Sequence, residues 1–196
     1  VNGSGVNLEE FPVVPLPKEM SFLIIARLLG AKGVREFVAA ARQVKRQYPT
    51  VLFRAVGWID DNPDSISKTE LEEWKREGVV EFLGKQTDVR SAISASAVYV
   101  LPSYREGTPR TVLEAMSMGR PIITTNAPGC RETVRVGENG FLVPVQSVDE
   151  LAEAMRHFVE TPEIVQVMGR RSREMAEERF DVRKVNAAML AAMALE

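Results

Sequence analysis

The chain has 196 residues, and its 25 Lys and Arg against 27 Asp and Glu give a net charge of −2 at neutral pH. This length suits one ordinary domain with a full core, and the near-zero charge argues against a dedicated nucleic-acid binder. A single cysteine, Cys130, and a single histidine, His157, argue against a disulfide framework and an all-protein zinc site. No apolar run reaches the roughly 20 residues that span a bilayer.

The two ends of the chain indicate a fragment of a longer protein. The chain begins at Val1 without an initiator Met and ends in Leu195-Glu196, a dipeptide that cloning sites often leave. The alternative is a mature chain that lacks only its Met. Residues 1–19 are expected to form a linker, because glycine and proline interrupt any helix or strand there. These residues are Gly3, Gly5, Pro12, Pro15 and Pro17.

Strands and helices are expected to alternate from residue 20 to residue 143. Continuous short apolar runs predict strands buried on both faces, whereas apolar residues at three- and four-residue steps predict helices. This alternation predicts an α/β fold with a parallel sheet and helices on both faces. In chain order the expected elements are strand Met20–Ala26, helix Val34–Gln47, strand Val51–Val56, helix Ser67–Glu77, strand Val79–Leu83, a helix from Asp88 to about Ser96, strand Val98–Leu101, helix Arg110–Met118, strand Ile122–Thr125 and strand Gly140–Val143.

The remainder of the chain is expected to be helical. Ser147 and Glu150 have the spacing of a capping box, and Thr161-Pro162 should end the helix that they open. The expected helices are Ser147–Glu160, Glu163–Arg179 and Val182–Leu195.

Polar and glycine residues follow the predicted strands directly. Parallel sheets bind ligands at the carboxyl ends of their strands, so these positions are the first candidates for a functional site. They are Arg27, Gly57, Gly84, Ser103–Glu106 and Thr125–Gly129.

The segment Pro102–Met116 carries the most chemical information. Glu106 lies in a loop after a strand, Gly107 permits tight backbone geometry, and Pro109 suits the first position of a helix. The free amides at that helix N-terminus can bind phosphate, and Glu114, about one turn into the helix, can accept hydrogen bonds from a ribose diol. The combination suits a nucleotide sugar, although the spacing alone is equally consistent with two solvated carboxylates.

Two cations, Arg27 and Lys32, follow the first strand and precede its helix. Facing a diphosphate, Arg27 could bind bidentately and Lys32 could supply a point charge. The spacing of Gly30 and Gly33 fits neither a Walker A loop nor G-x-G-x-x-G, which argues against nucleotide hydrolysis and nicotinamide redox chemistry. Taken alone, the pair is also consistent with two surface cations on a loop.

These two elements, in this order, resemble the C-terminal, donor-binding domain of the retaining GT-B glycosyltransferases of family 4, glycosyl transferases group 1. The resemblance covers nearly the whole chain, and the number and order of the matching blocks make chance implausible. The blocks are Asn2–Asn7, Arg27-Leu28 with Lys32-Gly33, Phe82-Leu83-Gly84, the E-x7-E pair Glu106 and Glu114, Glu114-Ala115-Met116 with Gly119 and Pro121, Pro128–Glu132, and Asn139–Val143.

The resemblance implies a role for each site residue. The two cations would contact the donor diphosphate, Glu106 would hold hydroxyls of the transferred sugar, and Glu114 would bind the ribose. The base would lie near Gly57 and the strand end Val80–Gly84. The implied catalytic residues are Arg27, Lys32 and Glu106, and the donor-binding set adds Gly57, Leu83, Gly84, Gly107, Thr108, Pro109 and Glu114.

The resemblance also implies a fold and a domain division. The fold is a three-layer Rossmann-like α/β sheet, one half of a GT-B fold, followed by C-terminal helices. Residues 1–19 would be the remnant of an interdomain linker and residues 20–180 the donor-binding domain. Residues 181–196 would be a C-terminal helix that crosses back to an absent N-terminal domain.

The implied reaction is retaining and needs no metal ion or other cofactor. Its substrate would be a UDP- or GDP-linked sugar, and fixed cations and helix amides would meet the charge on the leaving diphosphate. The sequence has no DxD-type carboxylate pair at an obvious strand end. Asp60-Asp61 is expected in a polar turn with Asn62 and Pro63.

The implied partners are the nucleotide-sugar donor and an acceptor glycan or lipid-linked sugar, the acceptor being bound by the absent N-terminal domain. We expect a cytoplasmic protein without a transmembrane segment, whose parent enzyme can lie peripherally on the inner face of the membrane and serves envelope polysaccharide biosynthesis. In the family that this chain resembles, a histidine that helps the reaction normally comes from the N-terminal domain, and His157 is expected on a solvated helix face. The chain alone should therefore bind donor and transfer sugar poorly or not at all.

Three alternatives stay open at this point. One is half of a sugar-nucleotide epimerase, and another is a non-catalytic nucleotide-binding module. The third is a glycoside hydrolase with Glu106 and Glu114 as its acid–base pair, a reaction that would leave the phosphate-binding amides without a role.

Overall fold

The computed structural model describes residues 3–193 and contains a six-stranded parallel sheet with helices packed around it. This confirms the predicted α/β fold. The strands β1 to β6 are Ser21–Ile25, Leu52–Val56, Glu81–Phe82, Val98–Leu101, Ile122–Thr125 and Gly140–Val143. The α-helices α1 to α7 are Val34–Gln47, Lys68–Glu77, Arg90–Ser94, Arg110–Ser117, Val148–Glu160, Glu163–Met175 and Val182–Met193. Asn2 of the first matching block and the end of the last predicted helix lie outside the described residues.

The order of the strands places a crevice at the centre of the sheet. The order is β3-β2-β1-β4-β5-β6, so the chain builds outward from β1 to β3 and then returns to place β4 beside β1. Phe22 of β1 pairs with Val98 of β4. The chain therefore leads from β1 to β2 on one side of this point and from β4 to β5 on the other. Ligands of open α/β sheets bind in the crevice at such a switch point.

The core lies on both faces of the central strands. Every residue of β1, β4 and β5 is buried, as expected of strands that helices cover on both sides. Helix α1 packs beside α5, and α4 packs beside α6. The rings of Phe22 and Phe53 stack with centroids 5.3 Å apart, and the predicted inner face of α1, including Phe37 and Val44, is buried.

The structure differs from the predicted elements at several places, most clearly at three. Strand β3 is only two residues long, because Glu81 and Phe82 alone pair with β2 at this edge of the sheet. Helix α6 gives way to a π-helical segment, Ala176–Phe180, which brings Phe180 into the core. The expected capping box is not formed, since the Ser147 hydroxyl donates to the Glu150 carboxylate and caps no amide.

The segment that precedes β1 is packed against the domain. The Val6 amide donates to the Phe180 carbonyl at 2.8 Å, and the Val182 amide donates to the Val6 carbonyl at 3.0 Å. Arg120, which is 1% exposed, also ties this segment down, and burial lowers the pKa of its guanidinium to about 10. It donates to the carbonyls of Val14, Pro15, Ile93, Ser94 and Met118. The division of the chain at residues 19 and 180 stays a prediction.

Candidate functional site

The loops after β1 and β4 are held together at the crevice. The carbonyl of Ala31 accepts the amide of Tyr104 at 2.9 Å and the hydroxyl of Ser103 at 3.1 Å. Gly33 has a φ of 71°, and a Cβ built there would lie 2.2 Å from the Pro102 carbonyl oxygen. A side chain would push the two loops apart, so this glycine lets Lys32 reach the loop after β4.

Lys32 and Glu106 form an ion pair across the crevice. Lys32 Nζ lies 2.5 Å from Glu106 Oε1, and both side chains are mostly shielded from solvent. The loop after β5 holds the backbone of Glu106, whose amide donates to the Pro128 carbonyl at 3.1 Å. A Cβ on Gly129 would lie 1.8 Å from the Gly107 carbonyl oxygen. The predicted grouping of strand-end residues therefore extends over β1, β4 and β5.

Arg27 is paired with Asp60, which follows β2. Arg27 Nη1 lies 2.9 Å from Asp60 Oδ2, and the hydrogen bond from this guanidinium holds the pKa of the Asp60 carboxyl below its ordinary value. Asp60 also accepts the Asn62 amide at 3.2 Å and the Ser65 hydroxyl at 2.9 Å. The predicted polar turn is confirmed, but the sequence did not indicate that this turn orients Arg27.

Helix α4 begins at the crevice and adds donors to it. Pro109 was predicted at the first position of this helix, but it is the N-cap residue, one position earlier. The first amides of an α-helix have no partner within the helix. A cleft of about 210 Å³ lies here. Its wall includes Arg27, Lys32, Glu106, Pro109 and Arg110. Three cations, a carboxylate and a helix N-terminus thus meet around a space in which an anion can be bound.

Glu114 lies further along α4 in an adjoining cleft of about 600 Å³. Its side chain is 8% exposed, and Arg110 Nε lies 3.0 Å from Glu114 Oε1. Burial raises the pKa of the Glu114 carboxyl, and the charge of Arg110 partly opposes that rise. The two clefts meet at Arg110, which lines both of them. Sequence reasoning did not single out Arg110.

The predicted base-binding positions adjoin one another just after the carboxyl ends of β2 and β3. The Gly57 amide donates to the Gly84 carbonyl at 2.9 Å, and the Leu83 amide donates to the Ala55 carbonyl at 2.8 Å. Beside them Trp58 is 38% exposed, and Lys85 Nζ lies 4.7 Å from the centroid of its ring. The sequence analysis missed this pair, although Trp58 directly follows a strand-end glycine. Gly57, Leu83, Gly84, Gly107 and Thr108 are not among the described residues that line the two clefts.

The remaining chemically active groups lie away from this crevice or are buried. His157 is exposed on α5 with its ring 5.2 Å from that of Phe141, as predicted. Cys130 is buried, and burial raises the pKa of its thiol. A cleft of about 640 Å³ lies beside Val13–Leu16 and Gly119. It is near the amino end of β5, and therefore on the side of the sheet opposite the carboxyl ends of the strands.

Within residues 3–193, no cluster of three or more His, Cys, Asp or Glu side chains could hold a metal ion. No helix in the same residues is both long and apolar enough to cross a membrane.

The fold and the crevice define an α/β domain in which cations and a helix N-terminus converge at the strand switch point, and comparison with known proteins gives its family. The chain belongs to the family described as Glycosyl transferases group 1, whose family model matches residues 19–161. This confirms the resemblance drawn from the sequence blocks.

Two curated relatives and one solved structure illustrate the similarity. The chain is 32% identical, over 80% of its length and 38% of the relative's, to the N,N'-diacetylbacillosaminyl-diphospho-undecaprenol alpha-1,3-N-acetylgalactosaminyltransferase of Campylobacter jejuni. It is 29% identical, over 95% of its length and 48% of the relative's, to the putative colanic acid biosynthesis glycosyltransferase WcaL of Escherichia coli. The fold matches Anabaena HepE, solved in complex with UDP, with a TM-score of 0.87 at 23% identity over 98% of this chain and 56% of that one. The chain thus spans about half the length of these proteins, or less.

Proposed function

We propose that this chain is the donor-binding domain of a retaining, metal-independent glycosyltransferase that moves a sugar from a nucleotide diphosphate sugar to an acceptor. One observation carries the proposal: Arg27, Lys32, Glu106 and the first amides of α4 converge on one cleft, at the switch point of a domain that belongs to this family. A glycoside hydrolase that used Glu106 and Glu114 as its acid–base pair would not need such a cluster of anion-binding groups.

The cations and the helix N-terminus would act on the leaving diphosphate. As the bond between sugar and phosphate breaks, negative charge grows on the phosphate oxygens. Lys32, Arg27 and the first α4 amides all adjoin the same cleft, so together they would stabilise that charge. When Lys32 turns to the diphosphate, its partner Glu106 becomes free to accept hydrogen bonds from hydroxyls of the transferred sugar.

Glu114 and the strand ends of β2 and β3 would hold the nucleoside. A carboxylate has four lone-pair sites and can accept both hydroxyls of a ribose, and Glu114 lines the larger adjoining cleft. The base would lie at Gly57 and Gly84, next to the ring of Trp58. We propose UDP as the nucleotide of the donor, supported by the UDP complex of Anabaena HepE.

The acceptor would be bound by a part of the protein that this chain lacks. The Campylobacter relative is named for a diphospho-undecaprenol substrate and the Escherichia relative for colanic acid biosynthesis. These names support a lipid-linked or glycan acceptor in envelope polysaccharide biosynthesis. We further propose a cytoplasmic parent enzyme that works at the inner face of the membrane. Since the chain spans about half of such proteins, we expect it to bind donor and not to transfer sugar.

Calorimetric titration with UDP, GDP and ADP tests the proposal. UDP should bind most tightly, and Lys32→Ala and Glu114→Ala should each weaken binding about tenfold or more, since hydrogen bonds to charged groups contribute about 1.5–3 kcal/mol. Arg76→Ala is the matched control, because Arg76 is an exposed arginine of α2 that lines neither cleft. Binding that both site variants leave unchanged would place the nucleotide elsewhere, and no binding at millimolar UDP would contradict a donor site in this domain.

A further inference from the structure

We propose that Arg110 is a further donor-binding residue. Its guanidinium pairs with Glu114 until a nucleotide binds and then turns to form hydrogen bonds with the donor diphosphate. The inference rests on the proposed donor site and adds a residue to it. It starts from the position of Arg110 as the first residue of α4, where a cation lies beside the amides that are expected to bind phosphate.

The position of Arg110 connects the two halves of the site. It shares the 210 Å³ cleft with Arg27 and Lys32 and the 600 Å³ cleft with Glu114. It is the only residue common to the described linings of those two clefts. A nucleoside diphosphate with its ribose at Glu114 and its phosphates at Lys32 must therefore pass along this side chain.

The contacts of Arg110 leave most of its donors available. Its Nε atom donates to Glu114 Oε1 at 3.0 Å, and among residues 3–193 the guanidinium has no second hydrogen-bond partner. The terminal amino groups can thus form the planar fork that binds phosphate oxygens bidentately. Glu114, in contrast, is a buried carboxylate, which needs a donor at all times. A ribose diol can supply that donor and release the arginine.

Charge and exposure indicate that Arg110 changes partner most readily of the three cations. Each cation is neutralised in this structure by one carboxylate: Arg27 by Asp60, Lys32 by Glu106 and Arg110 by Glu114. Their side chains are 46%, 21% and 72% exposed, respectively. The guanidinium of Arg110 is therefore the least confined of the three cations, and it can turn to an incoming diphosphate once a ribose diol takes its place at Glu114. Arg110 then adds a positive charge that the Arg27 and Lys32 loop alone does not provide.

The test is the affinity for UDP of the wild-type chain, Arg110→Ala, Arg110→Lys and the control Arg76→Ala, at low and at moderate salt. Arg110→Ala should weaken UDP binding about tenfold and make it less sensitive to salt, because one fewer cation faces the anion. Arg110→Lys should restore part of the affinity and the full salt dependence, and Arg76→Ala should behave as wild type.

Other results would overturn the inference in distinguishable ways. Equal UDP affinity for wild type and Arg110→Ala would remove Arg110 from the site while leaving the proposed function intact. An Arg110→Ala loss that is the same at both salt concentrations and is not restored by lysine would make the residue a structural support of α4. Failure of the wild-type chain to bind UDP would instead contradict the proposed function itself.

Discussion

Lys32 Nζ lies 2.5 Å from Glu106 Oε1. The residue proposed to bind the diphosphate and the residue proposed to bind the sugar therefore neutralise each other in this structure. Their side chains are only 21% and 15% exposed, which distinguishes the pair from an ordinary surface ion pair of negligible energy. A donor must separate them, and each half of the pair then meets the part of the donor that suits it: the cation meets the phosphates and the carboxylate meets the sugar hydroxyls.

This relationship predicts opposite effects of Glu106→Gln on UDP and on a UDP-sugar. The substitution releases Lys32 and removes a negative charge close to the diphosphate, so UDP itself should bind roughly three- to tenfold more tightly, a gain of about 1 kcal/mol. The additional affinity that the sugar confers should fall, because an amide accepts hydrogen bonds more weakly than a carboxylate. Calorimetry with UDP and UDP-glucose measures both. Glu73→Gln, an exposed position of α2, is the control, and weaker UDP binding by Glu106→Gln would contradict the pairing argument.

Glu114 predicts a dependence of nucleotide binding on pH. Burial raises the pKa of this carboxyl, and the protonated form is a poorer acceptor for the ribose diol. UDP affinity of the wild type should therefore fall as the pH drops towards that raised pKa, starting above the pH at which an exposed glutamate would titrate. Glu114→Gln should bind UDP about tenfold more weakly at neutral pH and lack this phase. Since UDP titrates equally in both experiments, the difference between the two curves isolates Glu114.

The same burial predicts the opposite sign for the stability of the chain without nucleotide. A carboxyl whose pKa is raised by folding disfavours the folded state when it is ionised, so its contribution to the free energy of unfolding is most favourable at low pH and is lost as the pH rises through the raised pKa. At pH 7 Glu114→Gln should therefore melt at the same temperature as wild type or a higher one, as measured by circular dichroism. A clear loss of stability would mean that the carboxylate and Arg110 support the fold of α4.

The sequence indicated best those candidate positions that lie in loops after strands. Arg27, Lys32 and Glu106 could be assigned to one crevice, because the carboxyl ends of parallel strands lie on the same side of the sheet, whereas Glu114 on α4 lines the adjoining cleft. The pairing of Asp60 with Arg27 could not be predicted, since the two residues lie 33 positions apart and meet only through the exact course of two loops. The contacts of Arg110 were similarly hidden, because an exposed arginine at the start of a helix has no distinctive pattern.

Gly33 predicts a large loss of stability for a very small substitution. Its φ of 71° is in the left-handed region, and an added Cβ would lie 2.2 Å from the Pro102 carbonyl oxygen. Gly33→Ala should lower the free energy of unfolding by more than about 3 kcal/mol, since it combines backbone strain of roughly 1–2 kcal/mol with a clash against rigid backbone. Gly78 has nearly the same φ, 70°, but a Cβ there meets nothing within 4 Å.

Gly78→Ala is therefore a matched control that carries the strain without the clash. It should cost only about 1–2 kcal/mol, a fall of roughly 2–8 °C in melting temperature for a chain of this size. Thermal melts of the two variants measure the difference. Equal destabilisation would show that the close approach of the loops after β1 and β4 contributes nothing beyond the backbone angle.

Trp58 predicts an optical signal for the bound base. The chain has two tryptophans, of which Trp74 is buried and stacks on Phe82 at 6.0 Å, whereas Trp58 is 38% exposed beside Gly57. A base that displaces Lys85 from the face of this ring would quench its fluorescence. UDP should therefore lower the emission of the wild-type chain but not that of Trp58→Phe, which keeps an aromatic ring and should bind within about threefold of wild type. Trp58→Ala should lose roughly tenfold in affinity, since stacking on an aromatic side chain contributes about 1–3 kcal/mol per base. Calorimetric binding of UDP without any change in emission would place the base away from β2 and remove Gly57 and Gly84 from the site.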